Sequence, residues 1–184
     1  MAEASRRASR AVSRGGVSNA LFVAAAAERP PPEFLAIADE LTISFPWGSL
    51  LRGALAVDDA AARGIAALLK PGASLSALIS VTPTDGLELC SLDRPGETRK
   101  LAGRWSNHGL QLATVRPATQ AETFASHSTW ARRLGVGRTR PAWRVILRRA
   151  ERGARMTIWN ALGRMPGRWS GCSPDPPHAS WSGL

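Results

Sequence analysis

Two strand patterns that flank one helix pattern constrain the fold of this chain most strongly. Residues 40–45 alternate apolar and polar side chains, which predicts a strand. Residues 58–69 predict a helix that ends at a Lys-Pro-Gly turn, and residues 73–81, rich in small and branched side chains, predict the next strand. This order predicts an α/β fold in which helices cover the faces of a parallel sheet.

The flanking regions continue the same alternation. Further strands are predicted at residues 19–26, 110–115 and 143–148. Further helices are predicted at residues 2–12, 30–38 and 119–126, the last from the capping-box spacing of Thr119 and Glu122. Residues 83–109 are polar and rich in turn signals, which indicates an insertion or a loose hairpin.

The pattern divides the chain into a domain and a tail. A length of 184 residues suits one domain with a sizeable core. After about residue 150, Arg, Gly, Pro, Ser and Trp mix without any period. We therefore expect a folded domain at residues 1–149 and a disordered tail at residues 150–184.

The basic charge of the chain is carried almost entirely by arginine. The net charge is +10, and only Lys70 and Lys100 among the 24 basic residues are lysines. Arginine makes planar, bidentate contacts with phosphate and stacks on bases, which favours a nucleic-acid partner. A GC-rich genome would produce the same composition without any such partner, and composition alone leaves both interpretations open.

The sequence favours a protein of the reducing cytoplasm without a metal. Cys90 and Cys172 lie far apart, and no histidine stands at metal-ligand spacing from them. No apolar stretch approaches the roughly 18 residues that a membrane-spanning helix needs. An exported protein is the alternative, because four arginines precede the short apolar run at residues 20–27, as in a signal peptide.

Two distant segments suggest one chemistry. Residues 45–53 and residues 128–140 each place a tryptophan beside small polar residues and arginines. Such groups can hold one flipped base against a bound phosphate backbone, which indicates an RNA-modifying site. Each tryptophan has a plainer interpretation as well: Trp47 could cap the core, and the arginines around Trp130 could form a solvated loop.

The chain also resembles a known family. Its order of elements is similar to the later half of a class I S-adenosylmethionine methyltransferase, with a Rossmann-like sheet. Residues 26–28, 38–53 and 128–140 more specifically resemble the aminoglycoside-resistance methyltransferases that modify 16S rRNA at N1 of adenine(1408). The resemblance covers residues 1–149 and implies rRNA methylation, with S-adenosylmethionine as cofactor and the small (30S) ribosomal subunit as partner.

The resemblance implies a role for each matching residue. Ala27 and Glu28, expected at the end of a strand, would contact the adenosine part of the cofactor. The residues implied to border its methionine part are Ser44, Phe45, Pro46, Gly48 and Ser49.

The remaining matches concern the substrate RNA. Trp47 and Trp130 would sandwich the flipped adenine, with Ser128 near both cofactor and base. The residues implied to grip rRNA phosphates are Arg133, Arg138 and Arg140.

One expected part of the family pattern is missing from this sequence. Family members begin with a strand, a glycine-rich turn and a second strand that ends in an acidic residue, and no such glycine cluster occurs here. We therefore expect a methyltransferase sheet that lacks its first two strands, with doubtful activity in this form. The alternative function is a non-catalytic, basic RNA-binding remnant.

Overall fold

The computed structural model describes residues 3, 6, 8–17, 19–89 and 91–151. These residues belong to one compact unit that spans Met1–Gly153. The tail predicted to be disordered at residues 150–184 therefore lies outside the described residues, apart from its first two positions. The helix predicted at residues 2–12 also falls partly outside them, and a 3-10 turn follows at Val12–Arg14.

Four strands form one mixed sheet in the order β1-β2-β4-β3. The strands are β1 (Ala38–Ser44), β2 (Leu69–Ile79), β3 (Leu110–Pro117) and β4 (Trp143–Arg149). Strand β1 runs parallel to β2, whereas β4 runs antiparallel to both β2 and β3. The expected all-parallel sheet is wrong at β4, because the chain between β3 and β4 leaves and re-enters the sheet at the same end, where Pro117 pairs with Trp143.

In the described part of the chain, five short or medium helices connect the strands. They are α1 (Gly48–Ala54), α2 (Asp59–Leu68), α3 (Pro95–Ser106), α4 (Gln120–Ala125) and α5 (Thr129–Arg133). The α2 prediction is confirmed, and Asp58 caps this helix by accepting a hydrogen bond from the Ala61 amide at 3.1 Å. The α4 prediction is confirmed as well, because Thr119 and Glu122 form the capping box. Among the described helices, none is long and apolar enough to cross a membrane.

Three predicted elements differ from the structure. Residues 19–26 form an exposed loop instead of a strand, since no neighbouring strand in the described part of the chain supplies the hydrogen bonds that a strand needs. Residues 30–37 contain the 3-10 turn Pro32–Phe34 instead of a longer helix, because the backbone turns to φ 52° at Ala36, whose amide donates to the Ala67 carbonyl at 2.8 Å. Residues 83–109 are not a loose hairpin, because they contain helix α3.

The core explains why α3 is ordered. Leu101 and Trp105, four residues apart on α3, are fully buried, and the Trp105 indole donates a hydrogen bond to the Ala54 carbonyl at 3.2 Å. A second, smaller cluster of buried residues attaches α5 and the loop after it to the end of the sheet. Its members are Phe45, Leu78, Ala131, Val136 and Ala142.

Candidate functional site

A cleft opens at the carboxyl ends of β1 and β2 and contains both tryptophans of the candidate motifs. It has a volume of about 360 Å³. Its lining, the tryptophan cleft below, consists of Pro46, Trp47, Gly48, Leu51, Arg52, Ser80, Asp85, Gly86, Leu87, Trp130, Leu134 and Arg140. The two segments singled out in the sequence therefore meet in space. Ligands of open α/β sheets bind at this edge of the sheet.

The two indole rings contact each other inside the cleft. Their centroids lie 5.7 Å apart and their planes are inclined by 36°. The Trp47 side chain is 69% exposed, whereas Trp130 is partly buried against the second core cluster. One ring is therefore fixed by packing, and the other stands at the protein surface.

An ion pair braces the same cleft. A terminal guanidinium nitrogen of Arg140 donates to Oδ2 of Asp85 at 2.7 Å, and Nε of Arg140 donates to the Ser80 hydroxyl at 3.3 Å. The same Oδ2 atom accepts hydrogen bonds from the backbone amide and the hydroxyl of Thr82, at 2.7 and 3.0 Å. Asp85 thus joins the loop after β2 to the loop before β4.

The arginines predicted to bind phosphate fall into two groups. Arg133 and Arg138 are exposed, and neither has a carboxylate partner in the part of the chain that the structure describes. Arg140 is paired with Asp85 and is only 21% exposed. The loop that carries Arg138 turns tightly at Gly135 (φ 66°), where a Cβ would lie 2.6 Å from the Thr139 hydroxyl. Of these three arginines, Arg140 lines the tryptophan cleft, whereas Arg138 lines a recess on the opposite side of α5.

A second recess, the alanine groove, lies on the other side of helix α1 and has a volume of about 500 Å³. Its lining is apolar apart from Glu28 and Ser49. The apolar members are Val23, Ala25, Ala26, Ala27, Pro30, Pro31, Phe34, Ile37, Ala38, Leu41, Ile43, Leu50, Ile65 and Leu68. The structure thus brings Ala27, Glu28 and Ser49 together, although Ala27 and Glu28 lie in a loop and not at the end of a strand as expected.

Gly64 on α2 allows the wall of this groove to approach the helix. A Cβ at this position would lie 1.8 Å from the Ala27 carbonyl oxygen and 3.2 Å from Cδ of Pro30. No side chain fits there without displacement of the backbone that carries Ala27 and Glu28. The absence of a side chain at residue 64 therefore permits the close approach of the loop to α2.

The other residues predicted to contact cofactor are divided between the two recesses. Pro46 and Gly48 line the tryptophan cleft, whereas Ser49 lines the alanine groove. Ser44 is exposed at the end of β1. The Phe45 side chain is 3% exposed and packs in the second core cluster, with its backbone at φ 48° and its amide bonded to the Leu78 carbonyl at 2.7 Å. Phe45 thus turns the chain from β1 into the motif.

Ser128 has a local structural partner. Its hydroxyl accepts a hydrogen bond from the Ala131 amide at 3.1 Å and caps helix α5. It does not line the tryptophan cleft; it borders a recess on the opposite side of α5. Its predicted place near cofactor and base remains a prediction.

Helix α4, which lines the recess on the opposite side of α5, is held by the ionised carboxylate of Glu122. The Arg116 guanidinium donates two hydrogen bonds to Glu122, at 2.6 and 2.9 Å. These bonds, with the capping bond from the Thr119 amide, lower the pKa of Glu122 to about 2. Within the described residues, no group of three or more His, Cys, Asp or Glu side chains could hold a metal ion.

Sequence reasoning missed several residues of the two recesses. Ser80 and Asp85 were assigned only to a strand end and a turn, and Gly64 only to a helix. The Asp-Gly pair at residues 85–86 was a usable signal, since a carboxylate in the loop that follows a strand end can lie at the binding edge of such a sheet.

Comparison with known proteins identifies a family for this chain. The family model for NpmA, 16S rRNA (adenine(1408)-N(1))-methyltransferase, matches residues 1–149. The 16S rRNA (adenine(1408)-N(1))-methyltransferase of Streptoalloteichus tenebrarius is 34% identical over 151 residues, which cover 76% of this chain and 66% of that protein. Its counterpart from Escherichia coli is 32% identical over 142 residues, which cover 72% of this chain and 64% of that protein. The chain thus spans slightly less than two thirds of these relatives.

Solved structures agree with the sequence matches. The 16S rRNA methyltransferase KamB has a TM-score of 0.70 and 32% identity, covering 82% of this chain and 72% of its own. A tryptophan-to-alanine mutant of the enzyme from Catenulisporales acidiphilia, solved with its cosubstrate SAM, has a TM-score of 0.71 and 30% identity, covering 82% of this chain and 70% of its own.

Proposed function

The chain belongs to the 16S rRNA (adenine(1408)-N(1))-methyltransferase family, and from that premise we propose that it methylates N1 of a decoding-site adenine in 16S rRNA. The observation that carries the proposal is the meeting of Trp47 and Trp130 in one cleft at the binding edge of the sheet. The proposed partner is the small ribosomal subunit, and the consequence for a cell is aminoglycoside resistance.

The alanine groove has the chemistry of a nucleoside site. Its volume of about 500 Å³ lies within the usual range for small-molecule sites, and its apolar walls suit an adenine ring. The Glu28 carboxylate can accept hydrogen bonds from an amine or a hydroxyl, and the Ser49 hydroxyl can donate or accept one. These residues fit the adenosine part of S-adenosylmethionine, which supplies an electrophilic methyl group when bound.

The tryptophan cleft would receive the flipped base. A base held between two rings needs them about 7 Å apart, since each stacked contact takes about 3.5 Å. The present separation of 5.7 Å is too small. Trp47 must therefore move outward by about 1 Å or more, and its exposure leaves it free to do so, while Trp130 stays packed against the core.

Positioning would supply most of the rate. N1 of adenine carries an in-plane lone pair, so attack on a methyl group requires alignment more than a general base. Stacking on each tryptophan contributes on the order of 1–3 kcal/mol, which offsets the few kcal/mol that unstacking the base from the helix costs. Arg140 uses two of its nitrogens within the protein, and its remaining N–H groups can contact the phosphate beside the flipped base.

Methyl transfer to purified small ribosomal subunits tests the proposal. The chain is incubated with subunits and S-adenosylmethionine, and the rRNA is read by reverse transcription, which stops at an adenine methylated on N1. We expect a stop in the decoding region with the unchanged protein and a much weaker one with Trp130→Ala. A folded protein that binds the subunits without producing a stop would contradict the proposal and favour the non-catalytic RNA-binding alternative.

A further inference from the structure

A recess on the far side of helix α5 carries the most exposed aromatic ring among the described residues. We call it the phenylalanine pocket; it has a volume of about 320 Å³, and its lining includes Phe124, His127, Ser128, Arg132 and Arg138. Phe124 is 79% exposed, more than any other large apolar side chain that the structure describes. A phenyl ring kept in water carries an unfavourable hydration free energy, which a partner that covers it would remove.

The exposure of Phe124 follows from the way helix α4 is fastened. Glu122 is bound by Arg116 and by the Thr119 cap, which fixes the six-residue helix on the side of Glu122. Phe124 is two residues further on and therefore points to a different side of the helix. The His127 ring lies 6.2 Å from the Phe124 ring, with its backbone turned back at φ 49°. The two rings thus form an aromatic wall of the pocket.

The opposite wall of the pocket is cationic. Arg132 and Arg138 are both exposed, and neither has a carboxylate partner within the described part of the chain. An aromatic surface beside free guanidinium groups matches an unpaired nucleotide, whose base stacks and whose phosphate takes bidentate hydrogen bonds. An acidic protein segment would satisfy the arginines but would leave the two aromatic rings without a planar partner.

The position of the pocket joins it to the tryptophan cleft. Helix α5 separates the two recesses: Trp130 and Leu134 line the cleft, whereas Ala131 and Arg132 line the pocket. The helix has only five residues, so an RNA strand that delivers one base to the cleft passes within a few nucleotides of the pocket.

We propose that the phenylalanine pocket binds a second unpaired nucleotide of the RNA, with the base on Phe124 and His127 and the phosphate on Arg132 and Arg138. The proposal rests on the proposed function for the identity of the partner as RNA. It assigns Phe124, His127 and Arg132 to RNA binding, in addition to the arginines implied by the family resemblance.

Direct binding measurements test the pocket without any need for catalysis. The full chain and its variants are titrated against a short unstructured RNA oligonucleotide, against inorganic polyphosphate as a base-free polyanion, and against purified small ribosomal subunits. Phe124→Ala should weaken binding of the oligonucleotide and the subunits about 5- to 100-fold and leave polyphosphate binding unchanged. Phe124→Trp should retain the affinity, because it keeps a stacking surface.

Leu21→Ala controls for the loss of apolar surface, and Arg148→Gln controls for the loss of charge in Arg132→Gln. Leu21 is 76% exposed, and Leu21→Ala should change neither RNA nor polyphosphate binding. Arg132→Gln should weaken binding of both polyanions and lower the slope of log affinity against log salt by about 1. Arg148→Gln, which removes an exposed cation on β4, should have a smaller effect on RNA binding.

The following outcomes would contradict the proposal that the pocket binds a nucleotide. Equal affinity of Phe124→Ala and the unchanged chain for RNA would overturn it, as would an equal loss of polyphosphate binding. A loss seen with subunits but not with the oligonucleotide would assign Phe124 to a ribosomal protein and overturn the proposal as well. Methyl transfer is read separately: Phe124-dependent RNA binding without methylation would refute the proposed function and leave the pocket standing.

Discussion

The tryptophan cleft and the alanine groove lie on either side of helix α1, yet they are held in different ways. The cleft is braced by hydrogen bonds, with Arg140, Ser80, Asp85 and Thr82 joined across two loops. One wall of the groove is the loop at residues 20–30, whose backbone makes only the Arg29–Ala26 hydrogen bond among the described residues. That wall is positioned by packing on α2. We therefore expect cofactor binding in the groove to be sensitive to changes in side-chain volume. We expect methylation at the cleft to be sensitive to changes in charge and ring area.

The largest expected effect concerns the cleft. Trp47→Ala removes one stacking surface and should lower the rate of rRNA methylation about 10- to 100-fold. The melting temperature should change little, because the side chain is 69% exposed. Single-turnover methylation of small ribosomal subunits measures the rate, with Trp47→Phe as the control that keeps a ring. An unimpaired Trp47→Ala protein would mean that this ring holds no base.

The groove should respond most strongly at Gly64. Gly64→Ala forces a Cβ against the Ala27 carbonyl, and we expect the free energy of unfolding to fall by about 1–3 kcal/mol, together with a loss of S-adenosylmethionine affinity. Urea denaturation and cofactor titration measure the two effects.

Gly103 provides the matched control for that substitution. It lies in helix α3, and no atom beyond its chain neighbours and helix backbone lies within 4 Å of the position that a Cβ would take. Gly103→Ala should therefore raise the stability by up to about 1 kcal/mol, because alanine is the better helix former. A similar change in the free energy of unfolding for the two alanine variants would show that the loop is not packed on Gly64 in solution.

A smaller effect is expected for the brace of the cleft. Asp85→Asn keeps a side-chain oxygen that can accept the Thr82 hydrogen bonds but removes the charge that pairs with Arg140. We expect a loss of about 0.2–1 kcal/mol in stability and a reduced rate of methylation with unchanged cofactor affinity. Arg63→Gln, which breaks an exposed ion pair with Asp59 on α2, serves as the control and should leave methylation unchanged. A loss of cofactor affinity in Asp85→Asn would remove the distinction between the two recesses.

The smallest expected effect is a pH dependence of the stability, caused by Glu122 on helix α4. The pKa of Glu122 is lowered from 4.5 to about 2, so the folded state favours the ionised carboxylate. Its stabilising contribution is complete above pH 4.5 and disappears as the pH falls through 2. The melting temperatures of the unchanged chain and Glu122→Gln should therefore differ at neutral pH and converge toward pH 2. A difference that persists at the lowest pH would show that the carboxylate charge is not its cause.

Elements that are determined by interactions between residues close in the sequence could be predicted from the sequence. The Thr119 and Glu122 spacing predicted the α4 cap, and the pattern at residues 58–69 predicted α2, because capping and helical periodicity act over a few residues. The Pro71-Gly72 pair, which was expected to separate helix from strand, instead lies within β2. The register there shifts from Ala38 opposite Leu69 to Glu40 opposite Ser74.

Contacts between distant parts of the chain could not be predicted from sequence patterns. Arg140 and Asp85 are 55 residues apart, and no periodicity connects them. The contact of Gly64 with Ala27 likewise depends on how a loop lies on a helix. The meeting of the two tryptophan motifs was expected from their shared residue types and from the family resemblance, and not from any periodicity. The antiparallel direction of β4 follows from a connection whose path has no local signal.

The contact between Trp47 and Trp130 competes with any ring that would enter the cleft. Under the proposed function, a base that enters the cleft must first displace an indole–indole contact, which is worth about 0.5–1.5 kcal/mol. A ligand with a small or weakly stacking ring recovers little more than this amount, whereas a purine stacked on two faces recovers several times as much. If the cleft receives a base as proposed, the closed pair sets a threshold that favours large aromatic bases over small rings.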